Sequence, residues 1–234
     1  MDAVILAAGS GSRMGRMTAP FHKPVLEVNG TPLVQQAVKL ALDAGVTVPV
    51  VVVAPQNADA ISDAIGNLPV TLIVQRVARG PADALRIGLQ VTTDRVTAHR
   101  VLVLLSDNVM TMADVNNVSD PWNVTAVGVR RIPRAEAVRY TRWEDGRWVE
   151  KVPFGDPDGP PAECWVGPFV GWRSHMETTL PFICEQALND GHEALIGPHL
   201  RKFMRYPDTC VRVLVSSYDV GTQEAYLRAT RGEK

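Results

Sequence analysis

The chain has 234 residues, of which 46% are hydrophobic and 21% are charged. This composition is typical of a globular protein of one large or two small domains and unlike that of a disordered chain. Its 24 lysines and arginines balance 25 aspartates and glutamates, so no excess of positive charge favours a nucleic-acid or membrane surface. All five tryptophans lie between Trp122 and Trp172, which indicates an aromatic core or interface in that part of the chain.

The first half of the chain alternates strand and helix patterns. Continuous apolar runs predict buried strands at 3–8, 49–53, 70–74 and 101–105. Proline, glycine and the spacing of apolar residues predict helices between them, the first from a capping hydroxyl at Thr31 to Gly45 and the others at 57–65 and 81–89. This alternation indicates right-handed βαβ units and a parallel sheet.

The pattern changes beyond about residue 120. Half-exposed strands are predicted at 123–131 and 147–152, followed by a loop at 153–161, a strand at 164–172, a helix at 174–189 and a last strand at 211–216. No repeat or low-complexity linker divides the chain. We therefore predict one α/β domain, in which residues 1–120 hold a nucleotide and residues 121–234 shape the site for a second substrate.

The cysteines and the N-terminus bear on the compartment. Cys164, Cys184 and Cys210 are odd in number and widely spaced, so they form neither a CxxC metal site nor a disulfide framework, which favours a reducing compartment. The apolar run at the N-terminus is too short for a membrane span and lacks the basic start of a signal peptide. We expect a cytoplasmic protein without a membrane or nucleic-acid partner.

A glycine-containing loop follows the first predicted strand. Glycine backbone N–H groups can approach a phosphate closely, and strand-end loops are where open α/β sheets bind ligands. The loop is not a dinucleotide fingerprint, because Met14 stands where a third glycine is required after Gly9 and Gly11, and it lacks the GK[ST] of a P-loop. A tight turn would explain the loop by itself, but Arg13 and Lys23 add two cations that suit a triphosphate.

Six ordered segments resemble the sugar-phosphate nucleotidylyltransferases, the nucleoside-diphosphate-sugar pyrophosphorylases. They are LAAGSGSR at 6–13 with Lys23 beyond it, QRVARG at 75–80, SDN at 106–108, VEKVP at 149–153, VGPF at 166–169 and DVGT at 219–222. Each segment is weak alone, but the ordered set covers nearly the whole chain. The resemblance implies an α/β fold: a Rossmann-like three-layer sandwich with a mostly parallel central sheet, similar to the glycosyltransferase-A type.

The same resemblance implies the reaction and the residues of its site. A sugar 1-phosphate would attack the α-phosphate of a nucleoside triphosphate and release pyrophosphate, with the protein positioning groups and neutralising charge. The implied catalytic residues are Arg13, Lys23 and Asp107. The implied nucleotide-binding residues are Ala8, Gly9, Gly11, Ser12, Arg13, Gln75 and Gly80. The implied sugar-phosphate-binding residues are Asn108, Glu150, Lys151 and Gly167.

Two aspartates form the expected metal site. Asp107 and Asp219 each follow an apolar strand, so we expect both carboxylates at one edge of the sheet. Mg²⁺ prefers one or two carboxylates together with phosphate oxygens and water, so this pair beside a triphosphate predicts Mg²⁺ as the cofactor. A strand-end aspartate that caps a following helix is the structural alternative for each of them.

Several positions depart from the family pattern and leave the substrates open. Ser106 stands where a glycine usually precedes the aspartate, and Pro81 removes a backbone N–H beside Gly80. The tyrosine–glycine pair that lines the family's sugar site has no clear counterpart, since residues 137–140 occupy that region. The identity of the sugar is therefore not predicted.

The nucleotide prediction favours dTTP or UTP, because the spacing of Gln75 and Gly80 and the SDN triplet look most like the glucose-1-phosphate thymidylyltransferase branch. Two alternatives stay open: a cytidylyltransferase acting on methylerythritol phosphate or phosphocholine, and a non-catalytic nucleotide-sugar sensor or subunit. The tryptophans leave room for a homo-oligomer, since one or two rings can pack against a sugar or a neighbouring subunit.

Overall fold

The computed structural model describes residues 1–9, 22–92, 99–120, 125–150, 153, 156–203, 211–220 and 222–232. In the first half the elements are β1 (Asp2–Ala7), a 3-10 turn (Lys23–Val25), β2 (Glu27–Val28), β3 (Thr31–Pro32), α1 (Leu33–Asp43), β4 (Val50–Val53), a 3-10 turn (Pro55–Asn57), α2 (Ala58–Ile65), β5 (Thr71–Val74), α3 (Pro81–Thr92) and β6 (Arg100–Leu105). The predicted alternation of strands and helices is confirmed here.

The second half contains shorter and more varied elements. They are β7 (Asn108–Val109), α4 (Met112–Ser119), β8 (Ala126–Ile132), α5 (Arg134–Ala137), β9 (Thr141–Glu144), β10 (Arg147–Glu150), β11 (Ala162–Trp172), α6 (Arg173–Asn189), a 3-10 segment (Gly197–Phe203), β12 (Val211–Leu214), β13 (Tyr218–Asp219) and α7 (Gln223–Thr230). The predicted strands and the long helix are present with shifted ends, and the described residues of the predicted loop lie outside helices and strands. The elements α4, α5, β7, β9 and β13 were not predicted.

One central sheet contains most of these strands. Its order is β10-β9-β11-β6-β1-β4-β5, with β8 paired to both β11 and β12. The strands β6, β1, β4 and β5 are parallel neighbours, as are β12 and β8. In contrast, β11 runs antiparallel to β6, β8 and β9, so an antiparallel region from the second half extends the parallel region of the first.

Helices cover both faces of β1, β4 and β6, whereas β5 at the edge of the sheet leaves Leu72 and Val74 exposed, so the prediction of a buried strand there is wrong. In β1, Val4 and Leu6 belong to the core cluster that contains the buried residues of α3 and α6. Ala3, Ile5 and Ala7 belong to the opposite cluster, which contains those of α1, α2 and α4. Successive side chains of a strand point to opposite faces, so a strand buried on both sides must be apolar throughout. This explains the continuous apolar runs and gives the predicted three-layer arrangement.

The predicted start of the first helix is wrong. Thr31 and Pro32 pair with Val28 and Glu27 as a short hairpin, and the helix begins at Leu33 without a side-chain cap. Asn29 and Gly30, which join the two strands, both have positive φ, 55° and 71°. An Asn-Gly pair is the usual sequence of a two-residue hairpin turn, because both central residues adopt left-handed conformations there. The turn therefore shifts the helix start by two residues.

Among the described residues, no helix is long and apolar enough to cross a lipid bilayer. Cys164 and Cys184 are both free thiols, and Cys164 is buried. Cys210 and Trp122 lie outside the described residues.

The packing of α3 on the sheet depends on a glycine and gives the first prediction. A Cβ at Gly88 would lie 2.6 Å from Cγ1 of Val4 and 3.0 Å from Cγ2 of Val52. Alanine normally favours a helix interior over glycine, but here the methyl group would push the helix away from β1 and β4. We expect Gly88→Ala to lower the free energy of unfolding by about 1 to 3 kcal/mol, measured by urea denaturation.

The matched control is Gln90→Ala, at an exposed position of the same helix. It should change the free energy of unfolding by less than about 0.5 kcal/mol. A Gly88→Ala protein as stable as the control would show that α3 does not approach the sheet this closely.

Candidate functional site

Two short strands bring distant parts of the chain together beside the carboxyl end of β6. β7 and β13 pair antiparallel, with Asn108 opposite Asp219. The backbone N–H of Val220 also donates to the carbonyl oxygen of Asp107 at 3.1 Å. This small ladder holds the backbones that carry Asp107 and Asp219 side by side.

Lys23 lies between the two carboxylates. Its Nζ atom is 2.6 Å from Oδ2 of Asp107 and 3.3 Å from Oδ1 of Asp219. Burial alone would lower the pKa of Lys23, but the two carboxylates outweigh this effect and hold its pKa above the ordinary value. The ammonium group is therefore charged at neutral pH, and the structure places one cation between two anions at the site.

The carboxylate pair fits a divalent cation such as Mg²⁺ that takes part of its ligands from a substrate. Within the described ranges, no group of three or more histidine, cysteine, aspartate or glutamate side chains could hold a metal by itself. Mg²⁺ commonly takes one or two carboxylates and completes its octahedron with water and substrate phosphates. Asp107 and Asp219 suit such a shared site, in which the phosphates complete the coordination.

The glycine loop begins beside this site, at the carboxyl end of β1. Ala8 is half-buried and Gly9 is exposed, and a Cβ at Gly9 would meet no atom within 4 Å. Packing therefore does not require glycine at this position. The remaining loop residues named above, Gly11, Ser12 and Arg13, lie outside the described residues.

Two side chains hold the end of β1 in place. Nδ2 of Asn57 donates to the carbonyl oxygen of Ala7 at 3.0 Å, and Oγ of Ser106 donates to that of Leu6 at 2.8 Å. The hydroxyl of Ser106, which stands where the family has a glycine, is buried against β1. The sequence analysis did not single out Asn57, whose role depends on a contact between residues far apart in the chain.

The segment 75–80, which contains the expected nucleotide-binding residues Gln75 and Gly80, is held by contacts within the protein. Nε2 of Gln75 is 3.1 Å from both the carbonyl oxygen of Gly80 and Oδ2 of Asp83. Gly80 has a φ of 97°, and a Cβ there would lie 2.7 Å from the carbonyl oxygen of Ala194. The amide nitrogen of Gln75 thus fixes the loop, and the close approach of the Ala194 backbone explains the glycine.

The residues expected to bind the sugar phosphate lie across β7, β10 and β11. The amide nitrogen of Asn108 donates to the carbonyl oxygen of Val166, which links the aspartate ladder to β11. Gly167 packs against Gly128, and a Cβ there would lie 3.3 Å from Oγ of Ser217. Oε2 of Glu150 accepts a hydrogen bond from Thr141.

Lys151 is the one predicted sugar-phosphate residue outside the described part of the chain. Within that part, Asn108 and Gly167 are joined through β11, while Glu150 lies on the neighbouring hairpin and contacts Thr141.

A tyrosine lies near the aspartates in the region that matched no family pattern. Burial, and then the negative charge of Asp219, raise the pKa of Tyr140 to about 12. Its hydroxyl is therefore protonated at neutral pH and available as a hydrogen-bond donor. Sequence analysis located the segment but did not single out this residue for a role.

Comparison with known proteins identifies the family. Residues 3–143 match the MobA-like NTP transferase domain. The chain belongs to this family. The prediction of a nucleotidyltransferase family from the ordered motifs is thereby confirmed.

Two curated proteins are similar to parts of this NTP transferase chain. The UTP–glucose-1-phosphate uridylyltransferase AglF of Haloferax volcanii is 31% identical over 158 residues, which cover 66% of this chain and 58% of that protein. A 2-aminoethylphosphonate cytidylyltransferase of Lancefieldella rimae is 42% identical over 45 residues, or 19% of this chain and 18% of that protein. The chain thus spans less than two thirds of the length of either relative.

Two solved structures share the fold of this NTP transferase. A Bacillus anthracis protein assigned as a glucose-1-phosphate thymidylyltransferase, in complex with sucrose, aligns with a TM-score of 0.74 and 20% identity over 99% of this chain and 94% of that chain. A UDP-glucose pyrophosphorylase in complex with UDP-glucose aligns with a TM-score of 0.71 and 18% identity over 99% and 97%. The predicted Rossmann-like nucleotidyltransferase fold is confirmed.

The NTP transferase site rests on a buried carboxylate that the sequence analysis missed. Oδ1 of Asp114 accepts from the backbone N–H of Ser216 at 2.7 Å, and Oδ2 accepts from the backbone N–H of Thr111 and from Oγ of Ser217, both at 3.0 Å. Asp114 therefore ties the first turn of α4 to the segment immediately before Asp219. The Thr111–Asp114 spacing is a capping-box pattern, which would have predicted both the helix and the residue.

These contacts decide the charge state of Asp114. Burial alone would raise the pKa of Asp114, but the hydrogen bonds from Ser216 and Thr111 hold it below its usual value. A depressed folded-state pKa means that the ionised carboxylate stabilises the fold above its unfolded-state pKa of about 3.9, and that this contribution is lost as the pH falls through the folded-state pKa.

We expect Asp114→Asn to lower the free energy of unfolding at pH 7 by about 1 to 3 kcal/mol, because an amide cannot accept from all these donors. The difference from the wild type should begin to shrink below about pH 4, where the carboxyl of the unfolded chain starts to bind a proton, and should continue to shrink as the pH falls through the lower folded-state pKa. Urea denaturation at a series of pH values measures both effects.

The exposed Asp63→Asn on α2 is the matched control and should leave stability nearly unchanged at every pH. A difference between wild type and Asp114→Asn that stayed constant down to pH 2 would contradict this account of Asp114.

Proposed function

We propose that this chain joins a nucleoside triphosphate to a sugar 1-phosphate, giving a nucleoside-diphosphate sugar and pyrophosphate in a reaction that depends on Mg²⁺. The observation that carries the proposal is the ammonium of Lys23 between the carboxylates of Asp107 and Asp219. Membership of the NTP transferase family supports the same chemistry.

The reaction requires two anionic groups to approach one another. An oxygen of the acceptor phosphate forms a bond to the α-phosphorus, and the bond from that phosphorus to the oxygen of the leaving pyrophosphate breaks. Positioning and neutralisation of charge supply most of the catalysis in such transfers. When bound, Mg²⁺ supplies Lewis-acid stabilisation of the phosphate charge, and Asp107 and Asp219 are the residues that would hold it.

The cations of the chain have separate parts in this proposal. Lys23 neutralises charge at the α-phosphate, a role supported by its position between the two carboxylates that would hold the metal. Arg13 and the glycine-loop amides hold the triphosphate, and Lys151 holds the acceptor phosphate; these roles come from the motif resemblance. A triphosphate substrate also suits the cytoplasmic location that the sequence predicts.

The acceptor lies, in this proposal, on the β11 side of the aspartates. Glu150 and the protonated hydroxyl of Tyr140 offer hydrogen-bond partners for sugar hydroxyls. The direct link from Asn108 to Val166 would fix the acceptor strand relative to the metal site.

The favoured nucleotide is a pyrimidine, dTTP or UTP. The partial match to AglF, a protein named for UTP and glucose 1-phosphate, supports this choice. The short match to a 2-aminoethylphosphonate cytidylyltransferase favours a second candidate, the transfer of a cytidylyl group from CTP to a phosphorus oxyacid other than a sugar phosphate.

A substrate matrix tests the proposal. Purified protein with Mg²⁺ would be given UTP, dTTP, CTP, ATP or GTP against acceptors that include glucose 1-phosphate and 2-aminoethylphosphonate, and pyrophosphate release would be measured. We expect release with UTP or dTTP and a sugar 1-phosphate. Asp107→Ala and Asp219→Ala should each lower the rate about 100-fold or more, since each removes charge stabilisation at the reacting phosphates.

Asp63→Ala, on the exposed face of α2, is the matched control and should keep the wild-type rate. Activity that survived both active-site substitutions would exclude the metal assignment. Release only with CTP would favour the cytidylyltransferase, and no release with any triphosphate would favour the nucleotide-sugar sensor.

A further inference from the structure

We propose that Lys23 is a built-in cation that occupies the position between Asp107 and Asp219 until a metal–triphosphate complex replaces it. The site then takes a divalent cation together with a triphosphate and binds the cation poorly by itself. This inference rests on the proposed function, because it concerns how the same site is loaded.

The first argument is the competition for the same oxygen atoms. Nζ of Lys23 lies 2.6 Å from Oδ2 of Asp107 and 3.3 Å from Oδ1 of Asp219. A metal ion held by Asp107 and Asp219 through these two oxygens would compete with the ammonium for them. Two cations do not readily share these oxygens, since like charges a few ångström apart repel strongly where water is partly excluded.

The second argument is the charge of the cluster. Counted over these three side chains, two carboxylates and one ammonium leave one net negative charge, whereas the two carboxylates without Lys23 would carry two. A divalent cation is thus matched by the pair of aspartates alone and poorly matched by the aspartates with their lysine. The lysine lowers the affinity for the free metal by neutralising half of the charge that attracts it.

The third argument is the burial of the lysine. The side chain of Lys23 is only 7% exposed, while those of Asp107 and Asp219 are 37% and 21% exposed. The ammonium is therefore enclosed by protein, while both carboxylates are partly exposed to solvent. A metal ion that bound the carboxylates from solvent would displace them from Lys23. The buried ammonium would then lose these anionic partners, and a buried charge without a partner is strongly unfavourable.

A triphosphate removes this penalty. Phosphate oxygens accept hydrogen bonds from lysine as readily as carboxylates do, so the released ammonium gains new anionic partners when metal and triphosphate enter together. The metal then stabilises triphosphate binding, and by reciprocity the triphosphate stabilises metal binding by the same factor. Lys23 becomes the element that couples the two ligands.

Metal titrations test this inference without measuring turnover. Mn²⁺, followed by electron paramagnetic resonance, would be titrated into wild type, Lys23→Met and the control Lys39→Met, with and without a UTP analogue that has a methylene group in place of the α,β-bridging oxygen. Lys39 is exposed on α1 and donates a hydrogen bond to Gln35 of the same helix.

We expect wild type and Lys39→Met to bind Mn²⁺ weakly alone and about tenfold or more tightly with the analogue, within the usual range for coupled ligands. Lys23→Met should bind Mn²⁺ alone about tenfold more tightly than wild type, and the analogue should add less to its affinity. Mn²⁺ affinity in Lys23→Met that equalled or fell below that of wild type would overturn the inference.

Two further measurements separate the possible failures. Asp107→Ala in the Lys23→Met background should abolish the tight Mn²⁺ binding, and binding that persisted would place the ion elsewhere and overturn the inference. If Lys23→Met did not fold, the melting temperature of the wild type would be measured instead. Mn²⁺ alone should raise this temperature little, and Mn²⁺ with the analogue should raise it strongly. Equal increases would overturn the inference.

The outcome is independent of turnover. If the wild type releases pyrophosphate and Lys23→Met has an unchanged affinity for Mn²⁺, the proposed function is supported and this inference is rejected. Tight Mn²⁺ binding in Lys23→Met, with no turnover of any triphosphate by wild type, would reject the proposed function and leave the coupling at Lys23 intact.

Discussion

The contact of Lys23 with Asp107 and Asp219 is the constraint on which the site depends. It joins three parts of the chain: the turn before α1, the end of β6 and the segment before α7. Because the lysine is buried, its charge requires both carboxylates, and each carboxylate is placed by a different strand. The relative position of β7 and β13 therefore controls the charge balance at the site.

Hydrogen bonds from buried polar groups maintain that position. Asp114 holds Ser216 and Ser217 immediately before β13, while Asn108 holds the carbonyl oxygen of Val166 in β11. The aspartates are thus connected on one side to α4 and on the other to the strand that would face the acceptor. A shift of β11 relative to β6 would disturb the aspartates directly, so the two halves of the proposed site are mechanically linked.

The sequence predicted the parallel region well and the rest of the sheet less well, for a physical reason. Strands such as β4 are buried on both faces and must be apolar throughout, which a single sequence displays. Helix α4 was missed because its buried apolar side chains are few, essentially Val115 and Val118. The carboxylates were predicted from strand ends and motifs, but their contacts with Lys23 span 84 and 196 positions of the chain and depend on the complete fold.

The aromatic window shows how the acceptor half is built. Trp143 packs edge-on against Trp148 at 5.3 Å, with the guanidinium of Arg212 4.6 Å from the Trp143 ring. The indole N–H of Trp165 donates to the carbonyl oxygen of Gly167 at 2.8 Å, where the pairing of β11 with β8 shifts register. These rings are engaged with protein groups.

Trp165 thereby fixes the backbone of the strand that Asn108 also contacts. Trp165 is thus explained as a support that holds β11 in a fixed shape. Recognition of the acceptor would then fall to the polar groups near the aspartates, and the shape of β11 would determine which acceptor can reach them.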